Sequence, residues 1–358
     1  MSELYIGVMS GTSLDGVDVT LCEIDESNCK LISSLEFPFD AELKEEILNV
    51  INSSTTLEQI GTLDNKLGHL FADAINTFLQ KQNIDAKSID AIGLHGQTLW
   101  HKPNGDNPFS MQLGCPNVVN AQTNIKVVAD FRRMDIANGG QGAPFAPAFH
   151  QFIFKEKESA VLNIGGMANI TILGENLRGW DTGCGNVLMD MWIQKCKNIP
   201  FDKDGKFAKS GSIDANLLDA MIRDIYFTKL PPKSTGREYF NDTWLANYLP
   251  IFQTLKDEDI QRTLLELTAL SIANDVKNNS IKSLIVCGGG VKNAFLMQRL
   301  QELCKVKVAS TDEVGVSSEF MESMAFAWLA YKRIHNQEVN LSCVTGAKKD
   351  SILGGIYG

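Results

Sequence analysis

Each half of this 358-residue chain opens with the same pattern: a short apolar strand, a turn that contains glycine, and a second strand. In the first half, Leu4–Ser10 and Val17–Ile24 have strand composition, and the turn Gly11–Gly16 separates them. In the second half, Ala160–Ile164 and Asn169–Leu173 flank a Gly-Gly turn. A unit that starts both halves predicts two related domains, each with a sheet and helices.

Helical periodicity between the strands makes this an α/β fold. Apolar residues within Leu57–Leu79 recur at the spacing of one helix face. The predicted domains are residues 1–138 and 139–358, with a boundary placed within about ten residues and the last helix packing back on the first domain. Further predicted elements are strands Leu31–Phe37, Ile89–Leu94 and Ser283–Cys287, and helices Ala41–Ile51, Val187–Lys195, Ile213–Ile225, Ile260–Val276, Lys292–Leu303 and Ser318–Ile334.

Charge and composition exclude several classes of partner. The chain has 43 acidic and 33 basic residues, and a net charge of −10 opposes tight binding to nucleic acid or to an anionic membrane surface. No apolar segment approaches the ~20 residues of a bilayer span, and no basic region precedes the first apolar stretch. The eight cysteines include no C-x-x-C pair, so neither a disulfide framework nor a zinc site is indicated. We therefore expect a soluble cytoplasmic protein.

The turn Gly11-Thr12-Ser13-Leu14-Asp15-Gly16 has the composition of a phosphate-binding loop. Glycines allow backbone N–H groups to approach phosphate oxygens, and the hydroxyls of Thr12 and Ser13 add donors. Asp15 or Asp18 is a candidate ligand of Mg²⁺ through water, because Mg²⁺ prefers oxygen ligands and keeps several waters. An ordinary hairpin turn uses the same residue types, so that alternative stays open.

Three consecutive glycines, Gly288-Gly289-Gly290, follow the predicted strand Ser283–Cys287 and precede a helix. Such a run loses backbone entropy on folding and adds no side-chain packing, which suits a surface that a nucleotide approaches closely. Asn293 lies where a ligand would meet the N-terminus of the next helix. A tight connection between strand and helix is the alternative.

Asp181 is the candidate general base. It stands in Trp180–Asn186, which we interpret as a turn between a short strand and a helix. Capping that helix is the alternative role for its carboxylate. The polar stretch from Asp130 to Asp135 and the glycine-rich stretch Gly139–Pro144 favour a ligand site, because polar loops with glycines commonly serve ligands.

Two further polar segments are candidate contacts. His95-Gly96-Gln97-Thr98 follows the predicted strand Ile89–Leu94 and offers donors and acceptors for sugar hydroxyls or an amide. A structural histidine is the alternative for His95. Pro231–Asn241 carries two cations and several hydroxyls around one glycine, as a phosphate-facing loop does, and a solvated loop is its alternative.

Taken in chain order, these motifs resemble those of the anhydro-N-acetylmuramic acid kinase family. The resemblance spans nearly the whole chain. It is carried by Met9-Ser10-Gly11-Thr12-Ser13-Leu14-Asp15-Gly16-Val17-Asp18, His95-Gly96-Gln97-Thr98, Asp130-Phe131-Arg132-Arg133, Gly139–Pro144, Asn163-Ile164-Gly165-Gly166-Met167-Ala168-Asn169, Asp181-Thr182-Gly183, Lys233–Glu238 and Glu322–Trp328.

The resemblance implies a fold and a reaction. The fold is of the actin and hexokinase-like, ribonuclease H-like class, with two related ATPase domains, each a mixed sheet flanked by helices, and an active site in the cleft between them. The reaction uses ATP and Mg²⁺ to hydrolyse the anhydro bridge of 1,6-anhydro-N-acetylmuramic acid and to phosphorylate O6, in the recycling of peptidoglycan. The expected partner is this small sugar, with no nucleic acid and no membrane, and whether the active form is a homodimer stays open.

The resemblance also implies roles for individual residues. Asp181 is the expected catalytic base, and Asp15 and Asp18 are the expected Mg²⁺ ligands through water. The expected sugar contacts are Gln97, Thr98, Arg132 and Glu322. The expected ATP contacts are Gly11, Thr12, Ser13, Leu14, Asp15, Gly16, Val17, Asp18, Gly165, Gly166, Asn169, Gly288, Gly289, Gly290 and Asn293.

One position departs from the family pattern. Cys184 stands where the family usually has proline, which frees a φ angle and adds a backbone donor without removing Asp181. Two alternatives to the expected function stay open. One is a kinase for another amino sugar or small acid, because phosphate loops do not determine the sugar pocket. The other is a nucleotide-switched binding protein of the actin or Hsp70 kind, which binds ATP but phosphorylates no sugar.

Overall fold

The computed structural model describes residues 2–11, 14, 16–155, 158–231, 233–248 and 254–358. Its packing divides the chain into two compact units. Unit 1 comprises Met1–Phe154 and Phe320–Gly358, and unit 2 comprises Lys155–Glu319. These ranges differ from the predicted 1–138 and 139–358, because a helix beyond residue 138 and the C-terminal segment both pack within unit 1.

The elements are numbered here in chain order. The strands are β1 Glu3–Ser10, β2 Gly16–Ile24, β3 Cys29–Pro38, β4 Ala91–Lys102, β5 Phe109–Leu113, β6 Val127–Ala129, β7 Ser159–Ile164, β8 Met167–Ile172, β9 Arg178–Cys184, β10 Ser283–Cys287, β11 Lys307–Ser310 and β12 Gly355–Tyr357. The helices are α1 Ala41–Asn52, α2 Leu57–Gln82, α3 Pro116–Thr123, α4 Arg132–Ala137, α5 Ala146–Ile153, α6 Val187–Lys197, α7 Lys206–Ser210, α8 Ala215–Ile222, α9 Ile225–Thr228, α10 Asp242–Ala246, α11 Asp257–Asn278, α12 Ala294–Cys304, α13 Met321–Ile334 and α14 Ser342–Thr345. Short 3₁₀ turns lie at Ala86–Ser88, Lys203–Gly205, Gly289–Lys292 and Asp312–Val314.

Unit 1 contains a mixed sheet. Its strand order within the described residues is β12-β6-β4-β1-β2-β3, with β5 paired to β4. The first three strands form an antiparallel meander, whereas β4 runs parallel to β1 and β6 runs parallel to β4.

Helices cover both faces of this sheet. Ile6 and Val8 on β1 share a core with apolar residues of α2, which begins with a capping box between Thr56 and Gln59. The intervening Gly7 faces the other way, because successive strand residues point to opposite faces. A Cβ at Gly7 would overlap the Ser323 carbonyl oxygen of α13, so the helix lies directly on the strand backbone.

Unit 2 repeats the topology of unit 1. Strands β7, β8 and β9 form an antiparallel meander, β10 runs parallel to β7, and β11 runs parallel to β10. The resulting order, β11-β10-β7-β8-β9, matches the arrangement of β6-β4-β1-β2-β3 in unit 1. The expectation of an α/β fold with two related halves, each a mixed sheet with helices, is therefore confirmed.

Helix α11 lies at the centre of unit 2. It is buried along most of its length, and its apolar residues share one core with the sheet and with α6, α8 and α12. Within that core the Thr268 hydroxyl contacts the carbonyl oxygens of Cys184 and Gly185, at 3.2 and 3.0 Å. This contact attaches α11 to the end of β9. Among the described helices, none is long and apolar enough to cross a membrane.

Most predicted elements are confirmed, and three needed correction. The predicted helix Ile213–Ile225 is two helices, because Asp224 accepts a hydrogen bond from the Tyr226 N–H and begins α9. His95–Thr98 does not follow a strand but lies within β4. The polar stretch after Asp130, interpreted as irregular, includes the short helix α4.

Candidate active site

Asp181 lies inside strand β9 rather than in the predicted turn. It pairs with Asn169 of β8, next to a bulge at Ala168. The residue that precedes α6 is Asn186, so Asp181 does not cap that helix. The alternative role of a capping carboxylate is therefore wrong, because β9 continues to Cys184 before the chain turns.

Four contacts hold Asp181 in place. Its Oδ2 atom accepts hydrogen bonds from the Ser234 hydroxyl and from the Thr235 N–H, both at 2.9 Å. Its backbone carbonyl accepts a hydrogen bond from the Tyr226 hydroxyl at 2.8 Å, and its backbone N–H donates to the Lys233 carbonyl at 3.1 Å. No group in the described part of the chain donates to Oδ1. One carboxylate oxygen is therefore fixed and the other is available to a ligand.

The surroundings make the Asp181 carboxylate more basic. Burial raises its pKa above the ordinary value, hydrogen bonds from Thr235 and Ser234 lower it, the charge of Glu238 raises it, and Lys233 lowers it. The net shift is upward. A hydrogen-bonded carboxylate with a raised pKa has the properties of a general base.

A buried aromatic cluster supports the segment that contacts Asp181. Asp224 accepts hydrogen bonds from the Tyr239 hydroxyl at 2.7 Å and from the Trp244 indole N–H at 2.9 Å. Tyr226, whose hydroxyl contacts Asp181, packs edge-on against Phe240 with ring centroids 5.4 Å apart. The cluster fixes both ends of residues 226–244 and so limits the movement of Ser234.

Two of the predicted ATP loops meet in unit 2. The turn at Gly165 and Gly166 accepts backbone hydrogen bonds from Asn186 at 2.8 Å and from Gly185 at 2.9 Å. Gly288 has a φ of 81°, a conformation that favours glycine, and a Cβ there would overlap Asn163. Gly290 similarly abuts Ile164. The two glycine segments therefore form one continuous backbone surface.

Other predicted ATP residues of unit 2 have structural contacts. The Asn293 Oδ1 atom accepts a hydrogen bond from the Leu296 N–H at 3.0 Å and caps α12. This cap explains why the helix begins at Ala294 and not at Lys292. Asn169 lies in β8 opposite Asp181, and Gly289 begins a 3₁₀ turn.

In unit 1, Gln97 joins the first glycine turn to strand β4. The Ser10 hydroxyl donates to Gln97 Oε1 at 2.5 Å, and Gln97 Nε2 donates to the Gly11 carbonyl at 3.4 Å. Leu14 has a φ of 59° and its side chain is buried. The predicted ATP contacts Thr12 and Ser13 lie outside the described residues, as does Asp15, which was also a predicted Mg²⁺ ligand.

The other members of this turn have strand positions. Gly16, Val17 and Asp18 belong to β2, where Asp18 pairs with Met9. The Val17 side chain lies in the core, so only its backbone is available to a nucleotide. The described residues contain no group of three or more His, Cys, Asp or Glu side chains arranged to hold a metal ion.

Arg132 is held in a buried polar cluster of unit 1. Its Nη1 donates to the Gly142 carbonyl and its Nη2 to His95 Nε2, both at 2.7 Å. Burial and the Arg132 charge lower the pKa of His95 well below its usual value, so the ring is neutral and accepts this hydrogen bond. Burial lowers the pKa of Arg132 to about 10, and the Glu322 carboxylate raises it, so Arg132 stays charged.

Glu322 and Thr98 complete the predicted sugar contacts. Glu322 lies in the first turn of α13 and has an exposed surface, but the protein packed around its carboxylate raises its pKa above the ordinary value, and the Arg132 charge lowers it by less. The Thr98 hydroxyl accepts a hydrogen bond from Gln112 Nε2 at 3.1 Å. Asp135 accepts hydrogen bonds from the Gly142 N–H and the Thr345 hydroxyl, both at 2.7 Å, which fixes the glycine-rich stretch beside Arg132.

The sequence alone had not identified Ser234, Thr235 and Tyr226 as partners of Asp181. In the sequence, Pro231–Asn241 is a candidate phosphate-facing loop and its residues Lys233–Glu238 carry part of the family resemblance, but neither observation predicts a contact with Asp181. The spacing of 53 residues between Ser234 and Asp181 carries no local signal for their contact. The residue types that could have indicated hydrogen bonding to Asp181 were the two hydroxyl residues beside a glycine in this polar loop.

Comparison with known proteins gives matches over the full length. The sequence profile described as anhydro-N-acetylmuramic acid kinase matches residues 3–358. Proteins named anhydro-N-acetylmuramic acid kinase are similar to this chain in Sulfurimonas denitrificans, at 58% identity with 100% of both chains covered, and in Vibrio vulnificus, at 49% identity with 99% of this chain and 98% of the relative covered. A solved ROK family glucokinase from Streptomyces griseus, in complex with glucose and AMPPNP, aligns with a TM-score of 0.40 and 13% identity over 92% of this chain and 99% of that chain.

Proposed function

The chain belongs to the anhydro-N-acetylmuramic acid kinase family, and we propose on this basis that it uses ATP to convert 1,6-anhydro-N-acetylmuramic acid to N-acetylmuramic acid 6-phosphate and ADP. The observation that supports the chemistry best is the arrangement of Asp181. Its Oδ2 atom is held by Ser234 and Thr235, and no described group donates to its Oδ1 atom. This geometry suits a base that orients and deprotonates one water molecule.

The proposed reaction joins hydrolysis to phosphoryl transfer. Asp181 takes a proton from a water molecule, whose oxygen bonds to C1 of the sugar on the face opposite the bridge. The C1–O6 bond breaks and its electron pair stays on O6. O6 then bonds to the γ-phosphorus of ATP, and the bond between that phosphorus and the bridging oxygen breaks to release ADP. Positioning and charge stabilisation supply most of the rate in such a transfer.

The phosphate chain is assigned to backbone surfaces. In unit 2 these are the Gly165–Gly166 turn and Gly288–Gly290, and in unit 1 they are the Gly11–Gly16 turn and Asp18 of β2. Mg²⁺ needs only one or two protein carboxylates beside phosphate oxygens and water, so Asp18 and the predicted ligand Asp15 would suffice without a larger acidic cluster. When bound, Mg²⁺ neutralises phosphate charge.

The sugar is assigned to polar groups of unit 1. Arg132 is charged and fixed by His95 and Gly142, which suits an anionic or carbonyl group of the substrate. Gln97, Thr98 and Glu322 offer hydrogen bonds to the remaining polar groups. A homodimer acting in peptidoglycan recycling in the cytoplasm belongs to the same proposal, and light scattering of the purified protein tests its dimeric state.

The deciding experiment measures ADP release with Mg-ATP and the anhydro-sugar, beside N-acetylmuramic acid, N-acetylglucosamine and no sugar. Turnover with the anhydro-sugar alone is expected. In isotopically labelled water the label should enter C1, and label in phosphate instead would contradict the mechanism.

Replacement of the base tests its role directly. Asp181→Asn should lower kcat by about 10²–10⁴-fold while ATP affinity stays almost unchanged, because the amide keeps the shape of the carboxylate but accepts no proton. Asp219→Asn, on an exposed carboxylate paired with Arg223 in the same unit, is the matched control and should leave kcat unchanged. Near-normal turnover of Asp181→Asn would assign the base elsewhere.

A further inference from the structure

Arg237 lies against the Gly165–Gly166 turn. Its Nε and Nη2 atoms are 3.7 and 3.8 Å from the position that a Cβ of Gly166 would occupy. The guanidinium therefore lies in contact range of this turn, at the edge of the backbone surface formed by the two glycine segments of unit 2.

The donors of Arg237 are uncommitted. Within the described ranges, its guanidinium forms no hydrogen bond or ion pair with another side chain, and the residue is exposed to solvent. The exposed Arg223 of the same unit differs, since its guanidinium is 3.0 Å from the Asp219 carboxylate. An arginine offers five N–H donors in a planar fork, and in Arg237 all of them remain available to a ligand.

A half-buried acid beside Arg237 gives the cation a preferred location. Asp190 lies on helix α6, whose first residue, Val187, donates its N–H to the Gly166 carbonyl at 3.1 Å. Burial and the Asp202 charge raise the pKa of Asp190, the Arg237 charge lowers it, and the net result is a pKa of about 6. Asp202 itself accepts backbone hydrogen bonds from Phe207 and Ala208, at 2.9 and 2.8 Å. Asp190 and Arg237 therefore lie close enough to interact through their charges, and in the described part of the chain no hydrogen bond between them occupies the donors of Arg237.

We propose that Arg237 binds the phosphate chain of ATP at the Gly165–Gly166 turn, through charge-assisted hydrogen bonds from its guanidinium. The inference rests on the proposed kinase function and adds a residue to it. Phosphate oxygens match the planar fork of arginine, which makes two parallel hydrogen bonds to them. Arg237 follows Ser234 in one short segment, so residues 233–238 serve both the base and the phosphate chain.

The test compares nucleotides that differ only in phosphate number. Isothermal titration calorimetry measures the affinities of ATP, ADP and AMP for the wild-type protein, Arg237→Gln and Arg237→Lys, without sugar. Arg237→Gln should weaken ATP binding by about 10- to 100-fold and leave AMP binding within about twofold, because charge-assisted hydrogen bonds to phosphate are lost and adenosine contacts are kept. Lysine should restore part of the loss, because it keeps the charge but not the fork.

The matched control is Arg223→Gln, an exposed arginine of the same unit whose replacement should alter no affinity. Unchanged ATP affinity in Arg237→Gln, or an equal loss for AMP and ATP, would overturn the inference. Thermal unfolding of each variant detects a folding defect. If Arg237→Gln is destabilised, the nucleotide affinities of Arg237→Lys are compared with those of the wild type instead. Wild-type turnover of the anhydro-sugar is measured separately. ATP binding that depends on Arg237 without sugar phosphorylation would reject the proposed function and keep this inference.

Discussion

Removing the Ser234 hydroxyl tests whether the carboxylate of Asp181 works as an oriented base. In Ser234→Ala, Oδ2 keeps the Thr235 N–H at 2.9 Å and loses the hydroxyl at the same distance. A hydrogen bond to a charged group contributes about 1.5–3 kcal/mol, and 1.4 kcal/mol corresponds to a factor of ten in rate. If that free energy orients the base in the transition state, kcat should fall about 10- to 100-fold.

The pH profile separates this role from a merely structural one. The Ser234 hydrogen bond lowers the pKa of Asp181, so its loss raises that pKa further and the acid limb of kcat moves to higher pH. The assay is steady-state ADP release between pH 4 and 9, with ATP and anhydro-sugar both saturating. We expect the acid limb of the Ser234→Ala profile to lie at higher pH than that of the wild type.

Two variants complete the test. Ser234→Thr keeps the hydroxyl and should recover most of the activity and the original acid limb. Ser210→Ala removes an exposed hydroxyl that donates to the Phe207 carbonyl in the same unit, and should change neither quantity. A Ser234→Ala profile that falls in height without any movement of the acid limb would refute the argument, because the hydroxyl would then not act on the base.

The remaining predictions concern stability. Gly7→Ala should lower the free energy of unfolding by about 3 kcal/mol in urea denaturation, because its Cβ would overlap the backbone of α13, whereas Gly61→Ala, on a helix with open space around it, should raise it by about 0.8 kcal/mol. Similar values for the two would contradict the packing of α13 on β1. Burial raises the pKa of Glu266, but hydrogen bonds from Arg299 and Arg262 outweigh burial and leave the pKa below its ordinary value. A lowered pKa stabilises the fold above the unfolded value and is lost as pH falls, so Glu266→Gln should lose about 3 kcal/mol at pH 7 and less below pH 4. An equal loss at both pH values would refute this ion pair.

Local sequence patterns predicted which helices and strands form more accurately than they predicted the boundaries of these elements and the roles of individual residues. The apolar spacing of Leu57–Leu79 is confirmed by α2, and the repeated opening pattern is confirmed by the shared strand order of the two units. Val17 was assigned to a nucleotide loop, but strand alternation sends its side chain into the core. The break at Asp224 was missed, because the apolar pattern on either side of it is continuous, whereas Asp224 has a ψ of 142°, outside the helical range, and caps α9.

At the candidate site, too, sequence patterns indicated individual residues but not the contacts between them. Asp181 was a candidate from its motif, because the ordered motifs resemble one family. Its partners were not identifiable, since the contact of Ser234 with Asp181 depends on how a distant segment packs against β9. The free donors of Arg237 became apparent only when its distance to Gly166 was known. Composition indicates which groups are available, and only tertiary structure shows which of them are already engaged.

The division of the chain into two units also determines the order in which their parts are synthesised. Unit 2 is one continuous stretch, Lys155–Glu319, and all of it is synthesised before α13. Strands β1 and β4 of unit 1 are synthesised far earlier than α13, the helix that packs on them. This face of the sheet therefore stays exposed to solvent while unit 2 is being synthesised. Domains generally fold as units during synthesis, and exposed apolar sheet surface promotes aggregation. A chain that ends at Glu319 and is released from the ribosome should therefore need chaperone protection for its first half and not for its second.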